Sequence, residues 1–211
     1  WILLLLMAFG VMLVGALAPE TTFDSLWYHL TLPKIYLLEH GIRYIPGGLL
    51  YYSTMPKLGE LLYVAGLALG SEVIPKIIHV SFGLLTSLAI YLLAKKYVPS
   101  RFALLAVAIF FTNIVVMWEA TTAYIDLIRT FFEIMALWGL LEYIQTKKLK
   151  WLIESSFLIG LAMETKLVSV TTLAIYCIVL LLFRRRYSII YRAKTIAIYL
   201  TLSFVVVLPW F

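Results

Sequence analysis

Seven apolar runs decide what this chain can fold into. They fall at roughly residues 1–18, 72–94, 100–118, 121–145, 150–164, 167–183 and 194–211. A bilayer's hydrocarbon core takes about 20 helical residues to cross, and a backbone inside it must satisfy its own hydrogen bonds. With 64% hydrophobic and 13% charged residues, the chain carries more apolar surface than one soluble core can hide. The expectation is an all-α fold: a polytopic transmembrane helix bundle of about seven spans. The first run, Trp1 to Ala18, lacks both a basic leader and a small-residue cleavage site, so it reads as a span rather than a signal peptide. The lone cysteine, Cys177, lies in an apolar run and has no partner within the chain for a disulfide.

Charge supplies the orientation. Eleven of the 17 basic residues sit in three junctions between runs: Lys95, Lys96 and Arg101; Lys147, Lys148 and Lys150; Arg184, Arg185, Arg186, Arg192 and Lys194. Seven spans place all three on one face, and the positive-inside rule makes that face cytoplasmic. The net charge of +6 is explained by this asymmetry, and nucleic acid is not an expected partner. Residues 19–71, the stretch Glu119–Asp126 and the turn Glu164–Lys166 then face the extracytoplasmic side.

The 19–71 insert is too polar and too punctuated by proline to span. Asp24 to His40 places Leu26, Leu30, Pro33 and Leu37 on one helical face, which predicts an amphipathic helix in the membrane interface. Gly41 stops it, Pro46-Gly47-Gly48 makes a loop, and a second interfacial helix runs from Pro56 to Leu69 before Gly70. Thr21, three residues before Asp24, is the expected cap of the first helix.

Ionisable residues on the outer face are the candidates for chemistry. Asp24 leads, because a carboxylate where the chain leaves the membrane exceeds what a spanning helix needs. Glu20 is close enough to share its site. His29 is an interfacial hydrogen-bonding group with a possible relay or ligand role. Asp126 lies near the outer end of its run, while Arg129 and Glu133 are spaced for a local i,i+4 pair, as are Glu72 and Lys76. Lys57, Glu60 and Lys166 face outward, where lysine opposes the charge trend; an anionic lipid phosphate or snorkelling to headgroups accounts for Lys166 equally well. No Gly-rich phosphate loop or Cys/His metal spacing occurs, which argues against a nucleotide-using cytoplasmic enzyme.

The segment Asp24-Ser-Leu-Trp-Tyr-His29-Leu, with Pro33 and Gly41, resembles the first-loop signature of membrane glycosyltransferases of the C-type (GT-C) superfamily. It is most similar to the lipid-carrier-dependent, family-39-like group that includes the aminoarabinose and protein O-mannosyl transferases. Met55-Pro-Lys-Leu-Gly-Glu60, Ala123-Tyr-Ile-Asp126-Leu and Gly160-Leu-Ala-Met-Glu-Thr-Lys166 fit the same pattern in order, and Leu208-Pro-Trp-Phe211 resembles the approach to a further outer loop. The resemblance implies that residues 1–211 form the N-terminal transmembrane module of a longer protein in the cell membrane, with 19–71 as its first extracytoplasmic loop. Asp24 is implied as the catalytic base or acceptor-orienting acid, and Asp126 as a second site acid. The implied donor is a polyprenyl-phosphate-linked sugar and the acceptor a lipid, glycan or protein. Glu20, His29, Lys57, Glu60, Arg129 and Lys166 are the candidate substrate contacts. Arg129, Lys166, Lys57 or a divalent metal such as Mg or Mn would stabilise the departing phosphate.

Two other classes compete. A transporter or flippase for lipid-linked saccharides would also need outer acids and a groove, but would be expected to show inverted repeats and broken helices near the midplane, and no repeat is visible. A non-catalytic scaffold would have no use for Asp24 and Asp126.

Overall fold

The computed structural model describes residues 1–183 and 188–210. Arg184, Arg185 and Arg186 of the third basic junction, and Phe211, lie outside the described residues. Those described form helices and turns, with no strand among them. Ten α-helices follow in order: α1 Ile2–Leu17, α2 Thr31–Leu38, α3 Leu58–Ala68, α4 Val73–Ala94, α5 Ser100–Phe111, α6 Ile114–Ala120, α7 Asp126–Thr146, α8 Leu149–Thr165, α9 Val170–Phe183 and α10 Ile189–Val207.

Two helical stretches, Val73–Ala94 and Ile189–Trp210, are by themselves long and apolar enough to cross a membrane, and a third joins α5 to α6 across a 66° bend. The other expected spans fall short in length or apolarity. α1 has 16 residues and α9 has 14, while α7 carries Asp126, Arg129, Glu133 and Glu142.

Local chemistry explains where helices break. The expected run 100–118 divides at Thr112–Asn113, because the Asn113 side chain accepts from Val115 N at 2.9 Å and caps a new helix. The run expected from 121 enters α7 only at Asp126. The intervening turn is buried, with Thr122, Ala123 and Ile125 at most 3% exposed, and distant side chains serve its backbone. Glu20 Oε2 accepts from Ala123 N at 2.7 Å, and Tyr63 OH donates to Tyr124 O. His79 of α4 accepts from Leu127 N through Nε2 at 2.9 Å, so Nδ1 must carry the proton it shares with Glu119 O and Thr122 O. One imidazole thereby meets an orphan amide of α7 and two carbonyls at the end of α6.

The bundle proper stacks α7 on α8, α8 on α10 and α4 on α7. Ala136, Leu140, Leu152, Ile159 and Met163 fill its core. Small residues set the spacing, as in helix packing within membranes: a Cβ on Gly139 would stand 3.1 Å from Ser155 Cβ, and one on Gly160 would stand 2.8 Å from Ser203 O. At one end, the Lys96–Glu142 ion pair and the Gln145–Tyr97 hydrogen bond of 2.6 Å join the first two basic junctions. Those two junctions share a face, as the charge pattern requires.

The insert differs from its expected form. Asp24–His40 is not one α-helix: Ser25–His29 is a π-helical turn, closed by Leu30 N to Ser25 O at 2.9 Å, and α2 follows. Pro33 removes the amide that would bond His29 O, so a regular ladder cannot run through this point. Thr21 does not cap it; Thr22 Oγ1 bonds Glu20 and Ser25 instead. Gly48–Thr54 is a 3-10 segment, and α3 sits within the expected second helix.

Candidate functional site

A cavity of about 420 Å³ opens where the insert meets the ends of α7 and α8. The π-turn brings Tyr28 and His29 to it, the entry to α3 brings Lys57 and Glu60, and the end of α8 brings Thr165 and Lys166. Ile125, Leu167, Val168 and Val170 make its apolar side, and Tyr52 and Met55 close the rim. π-Helical turns are rare and recur at functional sites. Here the wider turn buries Ser25, Tyr28 and His29 together.

His29 and Glu60 form the floor. His29 Nδ1 lies 2.8 Å from Glu60 Oε1, with both side chains at most 2% exposed. Burial alone would push the Glu60 carboxyl up, but the His29 hydrogen bond, the His29 charge and Lys57 outweigh it and hold it below its ordinary value. Glu60 is therefore ionised at neutral pH. Its Oε2 is buried and makes no hydrogen bond. Burial pushes the Lys57 ammonium down, against Glu60; its Nζ donates to Tyr52 O.

Lys166 also lines the cavity. Its Nζ contacts both carboxylate oxygens of Asp126, at 3.0 and 2.9 Å. Arg129 reaches the same carboxylate at 3.7 Å, and Glu119 lies within electrostatic reach of Asp126, Lys166, Arg129 and Asp24. Asp126 thus holds a cation at the cavity and does not line it. The expected Arg129–Glu133 pair is absent: Glu133 accepts from Ser169 Oγ at 2.7 Å and Thr172 Oγ1 at 3.1 Å. Glu72 pairs with Lys34 rather than Lys76. Lys76 caps the end of α1 through Gly15 O and Ala18 O, at 3.1 and 2.7 Å.

Asp24 is half-buried and one hydrogen bond behind the wall, accepting from Tyr28 OH at 3.3 Å. Burial, then the Asp24 charge, raise the Tyr28 phenol far above its ordinary value, so it remains a donor. Glu20 belongs to the loop architecture. Partial burial would raise it, but hydrogen bonds from Thr22, Ala123 and Thr21 overcome that and lower it. Of the eight residues singled out by sequence, His29, Lys57, Glu60 and Lys166 line the cavity; Asp24, Asp126, Arg129 and Glu20 support it from behind. Tyr28 and Tyr52, stacked at 4.0 Å with 13° between planes, escaped the sequence reading because interfacial tyrosines are common in such chains. The one available signal was Tyr28's place beside His29.

Among the described residues, no group of three His, Cys, Asp or Glu side chains is arranged to hold a metal ion. Glu60 Oε1 and His29 Nδ1 engage each other, and the Asp126 carboxylate holds Lys166. The residues present do not fit a divalent ion, and no step below is routed through one.

A family model described as dolichyl-phosphate-mannose-protein mannosyltransferase matches residues 58–211. No curated protein and no solved structure matches the chain. The match begins at α3, so it takes in Glu60, Asp126, Arg129 and Lys166 and leaves Asp24, His29 and Lys57 to the resemblance in the first loop. The matched region contains the apolar helices together with half of the cavity. The chain belongs to the dolichyl-phosphate-mannose-protein mannosyltransferase family, a GT-C-like group of membrane glycosyltransferases.

Proposed function

We propose that this chain moves a sugar from a polyprenyl-phosphate donor to an acceptor hydroxyl or amine, on the extracytoplasmic side of the cell membrane. The observation that carries this reading is the cavity's two-sided character. Lys57, Lys166 and His29 present cationic or donor groups for a phosphate, and Ile125, Leu167, Val168 and Val170 offer an apolar path for a prenyl chain. A water-soluble sugar nucleotide would have no use for that apolar side.

Glycosyl transfer requires the acceptor oxygen to attack the anomeric carbon as the bond to phosphate breaks. Asp24 takes the acceptor proton through the Tyr28 hydroxyl, which lines the cavity and donates to its carboxylate at 3.3 Å. Asp126 fixes Lys166 where the phosphate charge grows, a preorganised electrostatic contribution. Residues 1–211 act as the transmembrane module, with seven spans once the shorter and charge-bearing helices are included. Residues 19–71 form the first outer loop, with its two helices in the interface.

The direct test is transfer by the purified protein in lipid nanodiscs. Radiolabelled dolichyl-phosphate-mannose, the donor named by the family, would be offered beside other polyprenyl-phosphate sugars with serine/threonine peptide, glycan and lipid acceptors. The expected result is discharge of at least one donor, to an acceptor or slowly to water. If no polyprenyl-phosphate sugar is discharged under any of these conditions, the reading is wrong. Topology is tested separately, in a Cys177→Ala background carrying Arg43→Cys or Lys148→Cys. Membrane-impermeant maleimide should label position 43 in intact cells and spare position 148, and the reverse pattern overturns the assignment of sides.

A further inference from the structure

In the chemistry above His29 only meets the phosphate, yet with Glu60 it forms the most buried ionisable pair in the cavity wall. Its geometry is that of an oriented imidazole. Nδ1 is engaged by Glu60 Oε1 at 2.8 Å, and the ring lines the cavity. Nε2 makes no hydrogen bond among the described residues. A carboxylate on one ring nitrogen fixes the tautomer and favours the imidazolium, leaving the other nitrogen to act.

We propose that His29, oriented by Glu60, is the acid that gives a proton to the lipid phosphate as that phosphate leaves the sugar. The inference rests on the glycosyltransferase reading. In the step, the acceptor oxygen forms its bond to the anomeric carbon and its proton goes to Asp24. The bond from that carbon to the phosphate oxygen breaks, with its electron pair going to phosphate. The Nε2 proton of His29 passes to that oxygen, leaving neutral imidazole and the polyprenyl phosphate monoanion. His29 is reprotonated from solvent before the next turnover.

The proton affinities favour histidine over its neighbours. A phosphate monoester has a second pKa of about 6, and an ordinary histidine lies near 6.5, against about 10.4 for lysine. Transfer from an ordinary imidazolium to such a phosphate is nearly balanced, whereas transfer from an ordinary ammonium is uphill by a factor of about 10⁴. Lys166 therefore contributes charge, and it is already committed to Asp126. Tyr28 is excluded as the acid, since burial and Asp24 hold its proton tightly. Tyr28 also separates the two proton-handling groups: its hydroxyl contacts Asp24, and its ring centroid lies 4.1 Å from that of His29. The groups facing His29 are Glu60 and Lys57 at α3, His79 of α4, Tyr124 before α7, Tyr28 on its own turn and Lys166 of the same cavity lining. Glu60 is the one anion among them at neutral pH, and it is in contact.

The experiment is the pH dependence of transfer by the nanodisc-held protein, with His29→Gln and Glu60→Gln. In the wild type, kcat should fall as pH rises through the histidine range, because the protonated form is required. His29→Gln should lower kcat about 10²-fold with KM within about twofold, and abolish that limb. Glu60→Gln should move the limb to lower pH, because the anion that stabilises the imidazolium is gone. An unchanged limb in His29→Gln, or a change confined to KM, overturns the proposal while the enzyme reading stands. Binding of farnesyl methyl phosphate, a diester that does not titrate in this range, supplies a readout independent of turnover. It should tighten as pH falls through the histidine range in the wild type and lose that dependence in His29→Gln. Binding with no pH dependence, or no binding, overturns the proposal even if the wild type transfers nothing and the enzyme reading has already failed. Should His29→Gln fail to fold, the Glu60→Gln shift decides: a limb that stays in place, or rises, counts against the dyad.

Discussion

The α7–α8–α10 bundle and the 19–71 insert solve the same problem, buried polar atoms, in opposite ways. In the bundle, the fully buried polar side chains are neutral hydroxyls, and the charges of α7 are only partly buried. Ser155 Oγ donates to Ala136 O at 2.6 Å and lies 2.9 Å from Tyr199 OH, so two hydroxyls close on one carbonyl. Glycines then let the helices approach. The insert and its contacts bury ions instead: Glu60 with His29, Lys57 near Glu60, and Lys76 on the carbonyls of α1. Burying ions is a poor way to gain stability, since desolvation offsets most of the Coulomb attraction. A region that does so is organised for something other than stability. On the proposed function, the bundle carries the stability and the insert the chemistry.

That division breaks most visibly at Asp24. Asp24→Asn should cut sugar transfer by about 10²–10⁴-fold, the usual cost of losing a positioned base, and leave thermal melting in detergent nearly unchanged. Asparagine keeps the Tyr28 hydrogen bond but cannot take a proton. A variant that melts much earlier, or transfers within a few-fold of wild type, would mark Asp24 as a structural residue.

Gly160→Ala makes the converse point. A helix alone would gain about 1 kcal/mol from the exchange, but the new Cβ would stand 2.7 Å from Val206 Cβ and 2.8 Å from Ser203 O, part of the facing backbone. Overpacking of this kind costs about 1–3 kcal/mol. The net result should be a lower melting temperature in detergent, with kcat per folded molecule preserved. A stabilised variant would show that α8 and α10 do not pack closely in the membrane.

Glu20 gives a smaller effect, with a sign set by its lowered folded-state pKa. Its contribution to stability is fully present above the ordinary value of 4.5 and is lost as pH falls through the folded value. The wild type should lose melting temperature below about pH 4.5 more steeply than Glu20→Gln, which has nothing left to titrate at that position. Parallel curves would remove Glu20 from the tie between the first loop and Ala123. Smallest of all is the surface pair Arg43–Glu39 at 2.6 Å: Arg43→Ala should change stability by less than about 0.5 kcal/mol. A larger loss would mean that even the exposed part of the insert is built for stability.

Much of the helical layout could be read along the chain because helix ends are local events. Gly70 and Pro56 bracket α3 as expected, and basic residues mark the shared end of α4 and α7. The candidate site was half-readable: the outer-face rule selected His29, Lys57, Glu60 and Lys166 with no knowledge of what they touch. Asp24 was given the cavity itself, but Tyr28 stands between them. The break at Asn113 and the π-turn were missed. The first required weighing a capping side chain against a continuous apolar run, and the second is a register change that a helical wheel cannot represent.

The sequence by itself determined the helical membrane class, the polar insert and the face on which acids and lysines collect. Those follow from transfer free energies and backbone hydrogen bonding, which act residue by residue. Only the tertiary structure decided the partners. Local i,i+4 pairs were expected for Arg129–Glu133 and Glu72–Lys76, yet His29 found Glu60 31 positions away and Lys166 found Asp126 40 positions away. An exposed i,i+4 pair is worth about 0.3–0.5 kcal/mol, while an ion left unpaired at a buried site costs several. Once the chain folds, an ionisable side chain taken out of water is paired by the fold, and sequence distance has little say.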